Sequence, residues 1–563
     1  MESLSSGGFG SGYEEFRATI VNRSRQNSHE VTLIAPASPV RNSGSLIYEL
    51  KRTVVVAASS TAQVSLLLPP LDLAGVDFAV IIDGQRQQGD VSAISERAGM
   101  WVGRVRNKIS LLVSQSVRRS RLIDEPQVEE WLKDSTGNLD VAYLPYEFPV
   151  NEWSTNWLGY SRFDGVLVSA DELQAMPESV RTALWRYMEC GGSMFVLGSW
   201  VVPKEWQERL ELISSAAIPK KALQTYYIGF GVLIVTGSVD PGQLDEIQWK
   251  KIKLHWEDSR PNDTYYRSIS DINGVFSVID RIGVPVRGLF ILMILFVFVI
   301  GPVNLLWLAR RGRKIWLLWT VPAISFVTCL AVSAFAFFGE GISATARTDA
   351  LTILDEVSHR ATTLGWMGFY SPVTPGEGLH FSYDTELDPR LPGRWDLRGG
   401  DRSSRTLDWT NDQHLASEWI TARVPVYFKF RKSEMRRERL TVRQGTNDSV
   451  SIVNGLGAAI RQLWWADNSG NIYTATNIPA GDESKLTWVN LKAAGTENNL
   501  RDVFKDDVWL GMFNSLEVNP REALMPNSYL AVLDAAPFVE EGLRGVKNRK
   551  AKTLVYGIQR LAP

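Results

Sequence analysis

Residues Gly288–Ala309 read GLFILMILFVFVIGPVNLLWLA, and Ile315–Phe338 read IWLLWTVPAISFVTCLAVSAFAFF. Neither stretch carries a charge. About 20 apolar residues span the hydrocarbon layer of a bilayer as a helix, and only a helix or a closed barrel satisfies its backbone there. The expectation is two transmembrane helices forming a hairpin over residues 287–339. Arg310, Arg311, Arg313 and Lys314 crowd the turn between the two runs, with Trp307, Trp316 and Trp319 near the same face. That density of basic residues assigns the turn to the cytoplasmic side and both flanking regions to the extracytoplasmic side. Translocating the first flank needs an N-terminal signal, which Met1-Glu2-Ser3-Leu4 does not begin, so the natural chain is expected to start further upstream or to have lost its signal. Gly301-Pro302 and Asn304 interrupt the first run, either as a local kink or as a polar partner site within the membrane.

The flanks are ordinary globular material. The chain has 563 residues, 45% apolar and 22% charged, which excludes a disordered chain and leaves enough apolar side chains for sizeable cores. The net charge of -2 argues against nucleic acid as a partner. Two cysteines, Cys190 and Cys329, exclude a disulfide framework and a cysteine-rich metal site. The five histidines are scattered, so neither a metal centre nor a cofactor site is expected.

Residues 1–98 carry short β-branched runs (RATIVN, EVTLIA, RTVVVAA, AQVSLLLP) separated by turn residues, which predicts an N-terminal β-sandwich. From 99 to 286 the pattern alternates. Continuous apolar runs occur at Ile109–Ser114, Asp140–Leu144, Asp164–Ser169 and Met194–Leu197. Between the last two, Val180, Ala183, Leu184, Tyr187 and Met188 mark one face of a helix that Gly191-Gly192 ends. This alternation predicts a doubly wound α/β domain. Residues 340–563 return to strand-like runs, giving a C-terminal β-rich region. Ile20-Val21-Asn22 and Ile452-Val453-Asn454 open similar stretches, a hint of two related sandwiches.

The segment Phe163–Trp200 resembles glutamine-amidotransferase-like domains, in which active members place a cysteine on a sharp strand-to-helix turn beside a histidine. Here that turn reads Gly198-Ser199-Trp200-Val201-Val202, without cysteine and without the second glycine. The resemblance therefore implies a catalytically degenerate fold with no catalytic residues. The alternative is a membrane-tethered hydrolase or amidotransferase-like enzyme using Ser199, with His255 as its base. Cys190 falls at the end of the preceding helix, a packing position. The chain as a whole resembles a group of bacterial membrane proteins with a β-sandwich, such a degenerate domain and a membrane hairpin; the matching patterns are Gly229–Val235, Gly301–Asn304, Val453–Gly457, Ser528–Ala531 and Pro537-Phe538. Phe163–Trp200 is also similar to auxiliary subunits of gliding-type ABC transporters. Both resemblances imply a non-enzymatic binding or assembly subunit of the bacterial cytoplasmic membrane. Its partners would be the lipid bilayer and a membrane protein such as an ABC permease with its ATPase, and it could form oligomers.

Three further patterns have bland readings. Gly229-x-Gly231 lacks the third glycine of a phosphate-binding turn and suits the start of an edge strand. Lys429–Arg443 holds seven basic residues and two glutamates, a solvated strand pair or a contact for anionic lipid headgroups or an acidic polymer. Trp464-Trp465 point to opposite faces of a strand, so at most one could line a sugar-binding platform.

Overall fold

The computed structural model describes residues 2–3, 12–35, 47–70, 77–89, 91–92, 109–122, 125–133, 141–145, 148–198, 202–203, 206, 223–236, 244–258, 272–274, 276–279, 286–312, 314–340, 343–390, 405–444, 450–489, 524–546 and 548–559. Among the described residues strands dominate, at 43%, and build five sheets, none of them closed. The expected series of separate α/β and all-β domains is corrected on this point. The sheets are mixed, and one of them joins the two ends of the chain.

That sheet has the order Leu379–Phe381, Gln413–Ser417, Thr406–Asp408, Glu49–Val56, His29–Ala35, Asp77–Ile82, Gln85–Arg86, with Val91–Ser92 also pairing Asp77–Ile82. Thr406–Asp408 runs parallel to Glu49–Lys51, residue for residue. The N-terminal strands therefore do not close a sandwich by themselves. An edge strand needs its backbone groups covered, and here strands from beyond residue 378 cover them. Phe16, Leu50 and Leu66 share one buried core with Leu379, Phe381, Leu407 and Trp409.

The region expected to be doubly wound forms a mixed sheet of six strands, in the order Val141–Pro145, Ile109–Val113, Gly165–Ser169, Ser193–Leu197, Gly231–Val235, Gln224–Ile228. The first five are parallel and the last is antiparallel. Ile109–Val113 and Ser193–Leu197 are buried at every residue, as continuous apolar runs covered on both faces must be. Helix Glu178–Glu189 turns Val180, Ala183, Leu184, Tyr187 and Met188 into the core. It ends at Gly191, whose φ of 104° is open to glycine; Gly191 N donates to Met188 O and Gly192 N to Tyr187 O, both at 2.9 Å.

The largest sheet has nine strands: Glu386–Arg390, Val426–Met435, Arg360–Tyr370, Thr345–Asp355, Asn548–Ile558, Ser528–Leu533, Ile460–Ala466, Ile472–Ile478 and Thr487–Trp488. Its centre is the parallel pairing of Thr345–Asp355 with the last strand of the chain. A further three-stranded sheet joins Arg439–Gln444, Val450–Gly455 and Glu483–Lys485.

The same strand unit occurs twice. Glu14–Val21 pairs with Thr61–Leu68, and His29–Ala35 pairs with both Glu49–Val56 and Asp77–Ile82. Val450–Gly455 pairs with Glu483–Lys485, and Ile460–Ala466 pairs with both Ile472–Ile478 and Ser528–Leu533. One asparagine anchors each copy. Asn22 Nδ2 reaches the carbonyls of Asn27, Val56 and Ala57 at 3.0 Å, and its Oδ1 accepts from Ser24 N at 2.9 Å. Asn454 Nδ2 reaches those of Ala458, Ile478 and Pro479 at 2.9 to 3.0 Å, and its Oδ1 accepts from Leu456 N at 3.1 Å. Even the hairpin behind each asparagine matches, with a positive φ at Ser59 in one and Gly481 in the other.

Between residues 286 and 340 the chain leaves this body and comes back to it. The expected pair of transmembrane helices is corrected to a single candidate span. Phe290–Arg310 has 21 residues and only 11% of its apolar window is buried. The next helix, Leu317–Glu340, has its described apolar stretch at Leu317–Leu330. Pro302 sits in a wide turn, Val299–Val303, that absorbs its missing donor. Just beyond it, Asn304 Nδ2 donates to Thr320 Oγ1 at 2.9 Å and ties the two helices together.

Asn22→Ala and Asn454→Ala are each expected to cost about 2–3 kcal/mol, because several buried backbone groups lose their partner at once. Chemical unfolding of the purified variants measures this; a loss below about 0.5 kcal/mol at both positions would show that the asparagines do not anchor the two units.

Candidate functional site at the carboxyl edge of the parallel strands

Open α/β sheets take ligands at the carboxyl ends of their strands, where the strand order reverses. In this sheet the reversal lies between Ile109–Val113 and Gly165–Ser169, since the chain goes from the first to Val141–Pro145 on one side and then to the second on the other. Ser114 directly follows the first of these strands and Ser169 ends the second, and they stand at the N-cap positions of two short helices, Gln115–Ser120 and Ala170–Ala175.

One side chain fills the crevice. Glu172 closes a capping box with Ser169, whose Oγ accepts from Glu172 N at 3.2 Å. Its carboxylate also reaches the neighbouring strand's loop. Oε1 accepts from Ser116 N at 2.9 Å, and Oε2 accepts from the hydroxyls of Ser114 and Ser169. Ser116 Oγ and Ser169 Oγ lie 2.9 Å apart. Burial works to raise the Glu172 pKa, but the hydrogen bonds from Ser114, Ser116 and Ser169 outweigh it and hold the carboxyl below its ordinary range. A carboxylate stabilised in this way is a poor base for Ser114, which is itself fully buried. The arrangement locks two strand ends together.

The residues singled out from sequence lie apart from this point. Ser199 lies outside the described residues. His255, on helix Glu246–Asp258, sets its ring edge-on to Tyr227 with centroids 6.1 Å apart. Cys190 is 1% exposed, and burial pushes its thiol well above the ordinary range, away from nucleophilic use. Gly229 lies in the turn between two antiparallel strands, and Gly231 opens the second of them. A Cβ on Gly231 would stand 2.2 Å from the carbonyl oxygens of Met188 and Gly192, so close packing on the helix end requires glycine there. Trp464 and Trp465 are both buried, in separate cores, and Trp465 Nε1 donates to Gln559 Oε1 at 3.0 Å. Among the described residues no three His, Cys, Asp or Glu side chains gather as a metal site.

Most of the basic run Lys429–Arg443 is paired. Arg431 forks onto Glu386 and also donates to Cys190 O at 3.1 Å. Lys432 contacts Glu540 and Glu434, Arg436 contacts Glu434 and Glu438, and Arg443 contacts Glu483. Lys429 lies over the Trp366 ring at 5.1 Å. The run therefore joins elements more than it presents charge.

A more deeply buried ion pair, which meets this run at Ser433, escapes sequence reading. Arg360 Nε contacts Glu189 at 3.0 Å, Arg360 Nη2 donates to Ser433 Oγ at 2.7 Å, and Trp185 Nε1 donates to Glu189 Oε1 at 2.7 Å. The only local hint is a glutamate in the last turn of a helix, where the macrodipole disfavours it. This cluster fastens the parallel-strand region to the nine-stranded sheet.

A second buried carboxylate, Glu356, accepts from Leu440 N and Tyr529 Oη at 2.8 Å each. Burial raises its pKa to about 6, against those hydrogen bonds. No protein-family profile matches the chain, and no curated protein matches it.

Arg360→Ala is expected to destabilise the protein by about 3–5 kcal/mol, since it leaves Glu189 buried without its cation. A double-mutant cycle with Glu189→Gln should recover part of that loss; strict additivity would contradict the pairing. Glu356 has a folded pKa above its ordinary 4.5. Its contribution to stability is thus fully present below that value and is lost as pH rises towards about 6. Glu356→Gln should flatten the stability profile over this window, and an unchanged slope in the variant would assign the effect to another group.

Proposed function

We propose that the chain is a membrane-anchored, non-enzymatic binding or assembly protein. The observation that carries this reading is the helical segment 286–340. Phe290, Ile291, Leu295, Phe298, Trp316 and Trp319 are all more than half exposed, which water does not favour on a folded protein. A core helix would bury such a face; this one buries chiefly Asn304 and Leu308. The segment leaves a body in which both flanks share sheets and cores and then returns to it, so its apolar helices are the part of the protein that meets the bilayer. Arg310 ends Phe290–Arg310, and the basic residues that follow it in sequence favour the cytoplasmic end of such a span in a bacterial cytoplasmic membrane. Arg311 stacks on Trp307 at 4.2 Å, a pairing suited to the headgroup layer.

The non-enzymatic part rests on how the crevice is used. Glu172 occupies the ligand position of the parallel strands, and the thiol of Cys190 is buried. What remains for function is surface: the body as a platform, and the apolar helices as a seat for lipid and for the membrane segment of a protein partner.

Alkaline carbonate extraction of membranes holding the full chain tests the anchor. Retention in the pellet is expected. Replacing Leu295 and Phe298 with Arg should release the protein to the supernatant, because each charge at mid-span costs about 2.5–3.5 kcal/mol. Release of the unaltered chain would contradict the reading.

A further inference from the structure

The ligand position of the parallel strands is filled by Glu172, and a separate group of cations lies at the other end of the helix that starts there. Helix Gln115–Ser120 starts at that crevice and carries Arg118 and Arg119, and Arg121 follows as its cap with a φ of 53°. All three arginines are exposed, and among the described residues none forms an ion pair. This differs from the basic run at Lys429–Arg443, where most cations meet a carboxylate. Beside them is an open cavity of about 480 Å³, lined among the described residues by Arg118, Arg121, Glu125 and Pro126.

We infer that Arg118 and Arg121 form a binding site for a phosphate group, carried by a free phosphate compound or by an anionic lipid headgroup. A guanidinium presents a planar fork of donors that matches two phosphate oxygens at once, and it stays charged at every physiological pH. Two such forks on one cavity wall can hold a monoester or a diester from two sides. Arg119 is next to them in sequence but does not line the cavity, which makes it the internal control. Glu125 lies on the rim and opposes an anion, so it weakens the site without abolishing it. The leading role falls to side chains, since the helix is too short to offer a terminus of its own. The inference does not rest on the membrane reading, and the site would serve a free ligand equally.

The test uses the full chain in an uncharged detergent, with inorganic phosphate titrated and binding followed by broadening of its phosphorus NMR line. The unaltered chain is expected to broaden the line in a saturable, salt-sensitive way. Arg118→Gln with Arg121→Gln should weaken binding by at least about tenfold, Arg119→Gln should change it less than about twofold, and Glu125→Gln should strengthen it. Circular dichroism of each variant separates loss of binding from loss of fold. The titration is then repeated in nanodiscs of phosphatidylcholine with and without phosphatidylglycerol. Abolition of phosphate binding by phosphatidylglycerol assigns the site to lipid headgroups, and unchanged binding assigns it to a soluble phosphate compound. Equal broadening by the unaltered chain and the folded double variant, including none in either, overturns the inference.

Discussion

Three residue pairs of parallel backbone, Glu49–Lys51 against Thr406–Asp408, fix where the rest of the chain lies. They join strands more than 350 residues apart and are reinforced by Lys51 facing Asp408 Oδ2 at 3.4 Å and by Thr410 Oγ1 accepting from Thr53 N at 3.1 Å. Loop-closure entropy grows slowly with length, so such a distant pairing is affordable once apolar faces are buried with it. With this ladder in place, Tyr13 Oη accepts from Gln413 Nε2 at 2.6 Å and from Leu387 N at 3.1 Å, deep in the same core. The ends of the chain then share one body, and the apolar helices are left outside it.

The body's second fastening is ionic. Glu189, Arg360 and Ser433 are buried together where the parallel strands meet the nine-stranded sheet, and Arg431 with Glu386 repeats the arrangement beside them. Buried ion pairs seldom add much net stability over apolar packing, because desolvation offsets the attraction. Their value is in fixing one geometry. A polar junction between two large layers specifies how the layers sit, which apolar contact alone leaves loose. A platform that presents surfaces to partners needs that rigidity.

Legibility followed the range of the interactions. Helix Glu178–Glu189 was readable from its apolar spacing and its glycine end, and the buried strands from their unbroken apolar runs. The repeated unit was faintly visible as Ile-Val-Asn at 20–22 and 452–454; only the structure shows both asparagines gathering carbonyls from two later turns. The capping box Ser169–Glu172 was spelled out locally, yet nothing local says that the same carboxylate bonds Ser114 and Ser116 more than 50 residues earlier. Separate domains were expected because strand partners are not encoded in a strand's own alternation. The second apolar run read as a full span because charge-free length was counted; among the described residues it gives the apolar helical stretch Leu317–Leu330 and not a second candidate span.

The shared sheet is the claim on which the topology and the proposed platform both stand. Lys51→Cys with Asp408→Cys, in a chain where Cys329 is replaced by serine, tests it in intact membranes. The account predicts that mild oxidation forms a disulfide between the two positions in the full chain, seen as a shift in electrophoretic mobility that reductant reverses. Absence of that shift, with a Lys51→Cys and Thr421→Cys control behaving identically, would contradict it.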